Sequence, residues 1–298
     1  MNRSKLNRVT PSRVVFLAFA VALLLAIALV CFVPVWHVIM ASLSDPTQLN
    51  VSKGLILWPL ERVDTTAYSM ILGYQSLWVG YRNTIFYIVL SCAITGVLTI
   101  IAGFVFSRNR FFYRNTFMLI ISFTMLFNGG MIPTYMVINK IGMVDTIWAM
   151  VVPGSLSVFN IILMRTSMQE ISDSLEEAAR LDGANGFIIM FKIILPLCKA
   201  TFAVILLFTI VMKWNDYMSA LLYLPTRDDL QPLQMALRTI LFQSSQEITS
   251  SSSVSNATVY ARSVEYAAIV VSTLPILLVY PFVRKYFVTG MTIGAVKA

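Results

Sequence analysis

The sequence predicts an all-α membrane protein with six transmembrane helices. Three observations carry this. Of the 298 residues, 58% are hydrophobic and 12% are charged, whereas a soluble domain carries about 25% charged residues. The apolar residues gather in runs long enough to cross a bilayer, which takes about 20 residues of helix. The basic residues beside those runs fall on one side of the membrane when six spans are counted, as the positive-inside rule requires. Mean hydropathy is +0.78. The long continuous runs exclude an outer-membrane barrel, whose strands alternate apolar and polar residues.

The first span is Val14–Met40, interrupted by Pro34. Its basic flank (Arg3, Lys5, Arg8, Arg13) suits a signal peptide. The run is too long for one and lacks a small-x-small cleavage site, so a retained span is expected. The polar stretch Ala41–Arg82 is long for a loop and is expected to hold short helices, one of them Thr65–Leu72. The second span is Asn83–Phe106, followed by a basic turn with Arg108, Arg110 and Arg114. The third, Asn115–Ile138, is broken by Asn128, Gly129, Gly130 and Pro133. The fourth is Thr146–Met164, with Pro153 inside.

A polar island, Ser172–Pro196, comes next. The fifth span is Ile193–Leu224 and contains Lys213-Trp214-Asn215-Asp216-Tyr217. A second polar stretch, Pro225–Glu265, holds the serine run Ser250–Ser253, whose composition favours a linker over a partner-binding loop. The sixth span is Tyr266–Val283, and a basic tail from Arg284 ends the chain. The island, the Arg108 turn and both termini then share the cytoplasmic side. One membrane domain, 1–298, is expected.

The net charge of +8 serves topology and anionic lipid here, so no nucleic-acid partner is expected. Cys31, Cys92 and Cys198 lie in or beside apolar runs without metal-ligand spacing, and read as packing residues. His37 reads as an interfacial or packing residue. No metal site and no catalytic residue is expected.

Within the island, Ser174 and Glu177 fit a capping box. A helix starting near Leu175 would put Glu176 and Glu177 in its first turn, where the dipole favours carboxylates, and Gly183 would stop it. A second helix, Phe187–Leu195, would carry Phe187, Phe191 and Leu195 on one apolar, anchoring face. The set Glu177-Ala178-Ala179, Asp182-Gly183-Ala184 and Leu195-Pro196 resembles the EAA loop of permease subunits of ATP-binding-cassette (ABC) importers. The tail from Gly290 through Gly294 to Lys297 resembles the C-terminal signature of sugar permeases of the maltose-transporter type. The serine-rich loop, the Asn128–Tyr135 stretch and the run Leu230–Gln234 resemble the lipoprotein/polysaccharide-type group.

The resemblance implies the type I importer permease fold with a cytoplasmic coupling helix. It makes Glu177, Ala178, Ala179, Asp182, Gly183 and Ala184 the ATPase-coupling residues. It implies a heterodimer with a second homologous permease, two ATP-binding subunits and an extracellular sugar-binding lipoprotein, all in or at a bacterial plasma membrane. The cargo would be an oligosaccharide. This chain would bind no cofactor, with ATP and magnesium on the partner ATPase, in keeping with the absence of a G-x-x-x-x-G-K-[ST] loop.

Polar residues at membrane depth are costly and commonly face a cavity. Trp214, Asn215, Asp216 and Tyr217 are therefore candidates for sugar contact, and equally for a bundle-stabilising Lys213–Asp216 pair. Asn128, Gly129 and Gly130 unwind the third span, as broken helices along substrate paths do. An ion-coupled transporter would need more intramembrane carboxylates or histidines than Asp216 and His37. An intramembrane hydrolase would need an H-E-x-x-H or Ser/His constellation, and none is evident.

Overall fold

The computed structural model describes residues 11–127, 129–250 and 256–295, and every regular element among them is helical. Asn128, Lys297 and Ser251–Ser253 of the serine run lie outside the described residues. Contacts divide the chain into two compact units, one ending at Gly73 and joined by Leu241–Val271, the other Tyr74–Ile240 with the segment from Ser272.

The first unit begins with α1 (Pro11–Ser42), which runs through Pro34 without a break. Side chains from Val14 to Val30 are largely exposed, as suits a lipid-facing surface. The polar stretch after it is ordered by its own side chains. Asp45 caps the short α2 (Pro46–Val51), accepting from the Thr47 amide at 2.9 Å, and pairs with Arg62 at 3.0 Å. The Thr47 hydroxyl, then its amide and Arg62, hold the Asp45 carboxyl below its ordinary range. The expected helix near Thr65 is α3 (Thr66–Gly73), and the Thr66 hydroxyl and amide likewise lower Asp64. His37 is a packing residue: its Nδ1 accepts from the Ile56 amide at 3.0 Å, and its ring meets Tyr266 edge-on.

The second unit is built around α4 (Gln75–Ser107). This helix begins eight residues before the expected second span. Asn83, taken from the sequence as the edge of the span, is a clamp inside it. Its amide donates to the Asp229 and Gln231 carbonyls at 2.8 and 3.0 Å. Tyr87 donates to the Leu230 carbonyl at 2.7 Å, and the Thr84 hydroxyl accepts from the Leu233 amide at 2.8 Å. The Leu230–Gln234 run is thus stitched to α4.

The third span breaks as expected, into α5 (Arg114–Leu126) and α6 (Met131–Lys140). Gly130 sits at φ 89° in the break. The fourth differs from expectation. It is divided into a single turn, α7 (Ile147–Val151), and a displaced α8 (Val158–Gln169). Pro153, which cannot donate to the helix ladder, and Gly154 at φ 78° separate them. After the polar helix α9 (Asp173–Leu181) comes α10 (Gly186–Leu197), which meets α11 (Lys199–Trp214) at 85°. The continuous fifth span is therefore shorter than expected, since α11 ends at Trp214. The short α12 (Met218–Tyr223) follows a break at 215–217.

The polar stretch 225–265 also departs from a loop. Its middle forms α13 (Leu233–Ser250). Leu233, Ala236, Leu237 and Ile240 are buried at i, i+3, i+4 and i+7, which is the spacing of an amphipathic helix. The sixth span and the expected tail belong to one helix, α14 (Asn256–Ala295), with Gly290 and Gly294 in its backbone. Among the described residues, three helices are long and apolar enough to cross a membrane, and the two bent pairs, α5–α6 and α10–α11, raise this to five if each is one span. The twelve-residue α8 falls short by itself.

The two most extensive helix contacts in this unit are those of α4 with α8 and with α11. Gly103 lets the first pair approach: a Cβ there would stand 2.8 Å from Met164 Cγ.

Candidate functional site

The polar island forms a rigid helix–turn–helix. Ser172, two residues ahead of the expected cap, accepts from the Ser174 amide at 3.3 Å. The helix then starts at Asp173, so Asp173 and Glu176 occupy its first turn. The Ser174–Glu177 box is not used, because Ser172 already caps and Asp173 is drawn toward a cation. At the other end Gly183 takes φ 82°. Its amide donates to the Arg180 carbonyl at 3.0 Å and the Ala184 amide to Ala179 at 2.9 Å, which is a Schellman stop. Asn185 caps α10, accepting from the Ile188 amide at 2.9 Å.

The anchoring face of α10 is not the expected one. Phe187 is 70% and Phe191 40% exposed, while Ile189, Met190, Ile194 and Cys198 are buried with Met164, Met168 and Ile205. The cause is a π-helical stretch, Ile189–Ile194, whose wider turn rotates the buried stripe away from an i, i+4 α register. Ala179 and Ala184 pack against the same cluster. Glu177, Ala178, Asp182 and Gly183 are exposed, and Leu181 is 90% exposed.

A residue that the sequence presents only as topology fixes α9 in place. Arg108, at the end of α4, is buried, with its side chain 7% exposed. Its Nη2 donates to the Met168 carbonyl at the end of α8 at 2.6 Å. Nη1 reaches Asp173 at 3.3 Å and Nε lies 3.5 Å from Glu176. Arg180 holds the other Glu176 oxygen at 2.7 Å, and Asn109 donates to Asp173 at 2.8 Å. In return Arg165 of α8 donates to the Phe106 carbonyl of α4 at 3.0 Å. Each helix of the α4–α8 pair thus contributes a guanidinium to the other's C-terminal carbonyls, which are otherwise unpaired. The basic turn and the polar island lie together.

The Trp214–Tyr217 segment divides. Trp214 is buried and its indole donates to the Ser272 carbonyl at 3.2 Å. Asp216 lies 3.7 Å from Lys213 and accepts from the Ser219 amide at 3.1 Å. Lys213, also buried, donates to the Met150 carbonyl at 2.5 Å, at the end of α7. Trp214 and Lys213 thus bond to other elements, and Asp216 to its own segment. Asn215 and Tyr217 are exposed, as are Gly129 and Gly130.

The sequence reading missed a cavity of about 380 Å³ between α8 and α11. Its lining includes Gly154, Ser157, Phe159, Asn160, Phe208 and Thr209, with the two phenylalanine rings 6.1 Å apart. The volume falls in the range of small-molecule sites, roughly 300–1,000 Å³, and the mix of aromatic walls with few polar groups is typical of them. Its sequence signal was Pro153-Gly154 within an apolar run, with Asn160 just beyond.

Comparisons with known proteins agree with this geometry. Residues 95–293 match the family model of the binding-protein-dependent transport system inner membrane component. The polygalacturonan/rhamnogalacturonan transport system permease protein YtcP of Bacillus subtilis (strain 168) is 38% identical over 276 residues, covering 92% of this chain and 95% of that one. Protein LplC of the same organism is 33% identical, covering 90% of each chain. A crystal structure of a bacterial ABC transporter involved in the import of the acidic polysaccharide alginate contains a chain that superposes with a TM-score of 0.82. That chain is 32% identical, and the match covers 93% of this chain and 98% of that one. The chain belongs to the binding-protein-dependent transport system inner membrane components: it is a multi-pass permease subunit of an ABC transporter, and not an enzyme.

Proposed function

We propose that this chain forms half of the membrane pathway of a bacterial importer for oligosaccharides derived from acidic polysaccharides, and that α9 docks on an ATP-binding subunit. The observation that carries the reading is α9 itself. It is short, capped at both ends and pinned at its first turn. Glu177, Ala178 and Asp182 are open to solvent, and Leu181 and Phe187 stand exposed at the turn into α10. An apolar centre with a charged rim is the make-up of a protein interface.

The partners are a second homologous permease, two ATP-binding subunits carrying ATP and magnesium, and an extracellular sugar-binding lipoprotein. On this reading the chain itself binds no cofactor or metal. Six crossings, by α1, α4, α5–α6, α7–α8, α11 and α14, place α9 and both termini in the cytoplasm and make the chain one permease domain. The positive-inside rule supports that orientation, with Arg108, Arg110 and Arg114 beside the island. The right-angle bend at Cys198 supports α10 lying along the membrane face while α11 crosses.

The cargo is inferred from the relatives. One is described as a polygalacturonan/rhamnogalacturonan transport permease, and another belongs to a transporter involved in the import of the acidic polysaccharide alginate. The path runs past the α8–α11 cavity, where Phe159 and Phe208 offer faces to sugar rings and Asn160 an amide to hydroxyls. Exposed Asn215 and Tyr217, Gly129 and Gly130 at the helix break, and Asn128 beside them in the sequence are further path candidates. Gly290, Gly294 and Lys297 of the C-terminal segment complete the ATPase contacts.

The test is uptake of labelled oligogalacturonides by the complete transporter in proteoliposomes. Uptake should stop without internal ATP and survive a proton uncoupler. Glu177→Ala and Gly183→Val should lower uptake at least tenfold while ATP hydrolysis persists. Uptake that collapses with the uncoupler while ATP is maintained would favour ion coupling instead.

A further inference from the structure

We propose that Arg108 is a positioning residue, the pin through which movement of α9 is passed to the paired helices α4 and α8. The proposal rests on the docking role of α9 and adds the route by which that docking reaches the bundle.

The geometry points to Arg108 for three reasons. First, this one guanidinium touches all three elements: it ends α4, binds the Met168 carbonyl at the end of α8 at 2.6 Å, and faces Asp173 and Glu176 of α9 at 3.3 and 3.5 Å. Second, the charge it meets is buried. The Glu176 side chain is 11% exposed, and its Oε2 accepts no hydrogen bond. Arg180 takes only Oε1, at 2.7 Å, so Arg108 is the cation that faces the buried Oε2, and parting the two leaves that oxygen uncompensated. Third, α9 has little apolar grip of its own. Ala179 is its side chain packed on the core cluster, and an open pocket of about 260 Å³ lies beside it, lined by Arg110 and Glu177 as well as the pin. A helix held by charges at its first turn, with space alongside, moves about that turn. Because Arg165 ties α8 back to α4 at 3.0 Å, a pull on Arg108 acts on both helices together.

The readout is ATP hydrolysed per oligogalacturonide taken up by the complete transporter in proteoliposomes. Arg108→Gln and Glu176→Gln should each raise this ratio at least fivefold in complexes that still contain the ATP-binding subunits. Arg108→Lys keeps the buried cation but not the fork of donors, and should give an intermediate ratio. Asp173→Asn, at the exposed end of the pair, reads the same ratio with the Glu176 charge still compensated, and should raise it about twofold. A purely structural role would lower the amount of complex and both rates together, leaving the ratio unchanged. That result in all four variants overturns the pin. Glu177→Ala, run alongside, separates the two levels. If it shifts the ratio and the Arg108 variants do not, the pin alone fails. If it also leaves the ratio unchanged, the docking role of α9 fails with it.

Discussion

At Gly103 a single hydrogen atom decides whether α4 and α8 can pair. A Cβ there would meet Met164 Cγ at 2.8 Å and Cβ at 3.0 Å, and overpacking of this kind costs about 1–3 kcal/mol. Gly103→Val should therefore lower the thermal midpoint of the purified permease by several degrees. Gly54→Ala, with no atom within 4 Å of the added carbon, should leave it unchanged. Individual residues were also where the sequence was most and least legible. Gly183 reads directly as a helix stop, because few residues other than glycine tolerate φ 82°. Arg108 does not read as a pin. A basic residue after an apolar run looks like a topology signal, and the acids it binds lie more than sixty positions further on. Lys213 and Asp216 were ambiguous for the opposite reason: three residues apart on one chain, they fit a pair and a cavity equally well, and the carbonyl that takes Lys213 Nζ, that of Met150, lies 63 positions away.

At the scale of elements, periodicity found the helices and misplaced some of their faces. The Phe187, Phe191, Leu195 stripe assumes 3.6 residues per turn. Six residues of π-helix bury Ile189, Met190 and Ile194 instead, and no local propensity announces that change. The amphipathic α13 was missed: Leu233, Ala236, Leu237 and Ile240 carry its period, but the surrounding serines and charges made the stretch read as a polar loop. The polar segment after α1 is held by Asp45 and Asp64, and this makes it sensitive to acid. Both carboxyls are lowered from an ordinary value of 3.8. Their contribution is complete above that pH and is lost as the pH falls through their lower folded values. Hydrogen exchange of the amides from Asp45 to Tyr68 should therefore accelerate below about pH 3.8, beyond the intrinsic pH dependence of exchange. The Asp45→Asn, Asp64→Asn double variant should show no such added step.

For the whole molecule, composition and apolar runs predict an all-helical membrane protein, and the motif at Glu177–Ala184 carries the family resemblance in the sequence itself. The division of the fourth span is local to Pro153-Gly154, but the cavity behind it depends on how α8 and α11 meet, which is a long-range packing result. The central claim concerns the complex: α9 is the surface on which an ATP-binding subunit closes. The direct measurement is site-specific photo-crosslinking in the assembled transporter. A photo-reactive phenylalanine replaces Leu181, which is 90% exposed on α9, or Leu24, which is 65% exposed on α1. The account predicts an adduct with the ATP-binding subunit from position 181 and none from position 24, with a yield at 181 that changes between nucleotide-free and ATP-bound complexes. An assembled, ATP-hydrolysing complex that gives no adduct from position 181 in either state would contradict it.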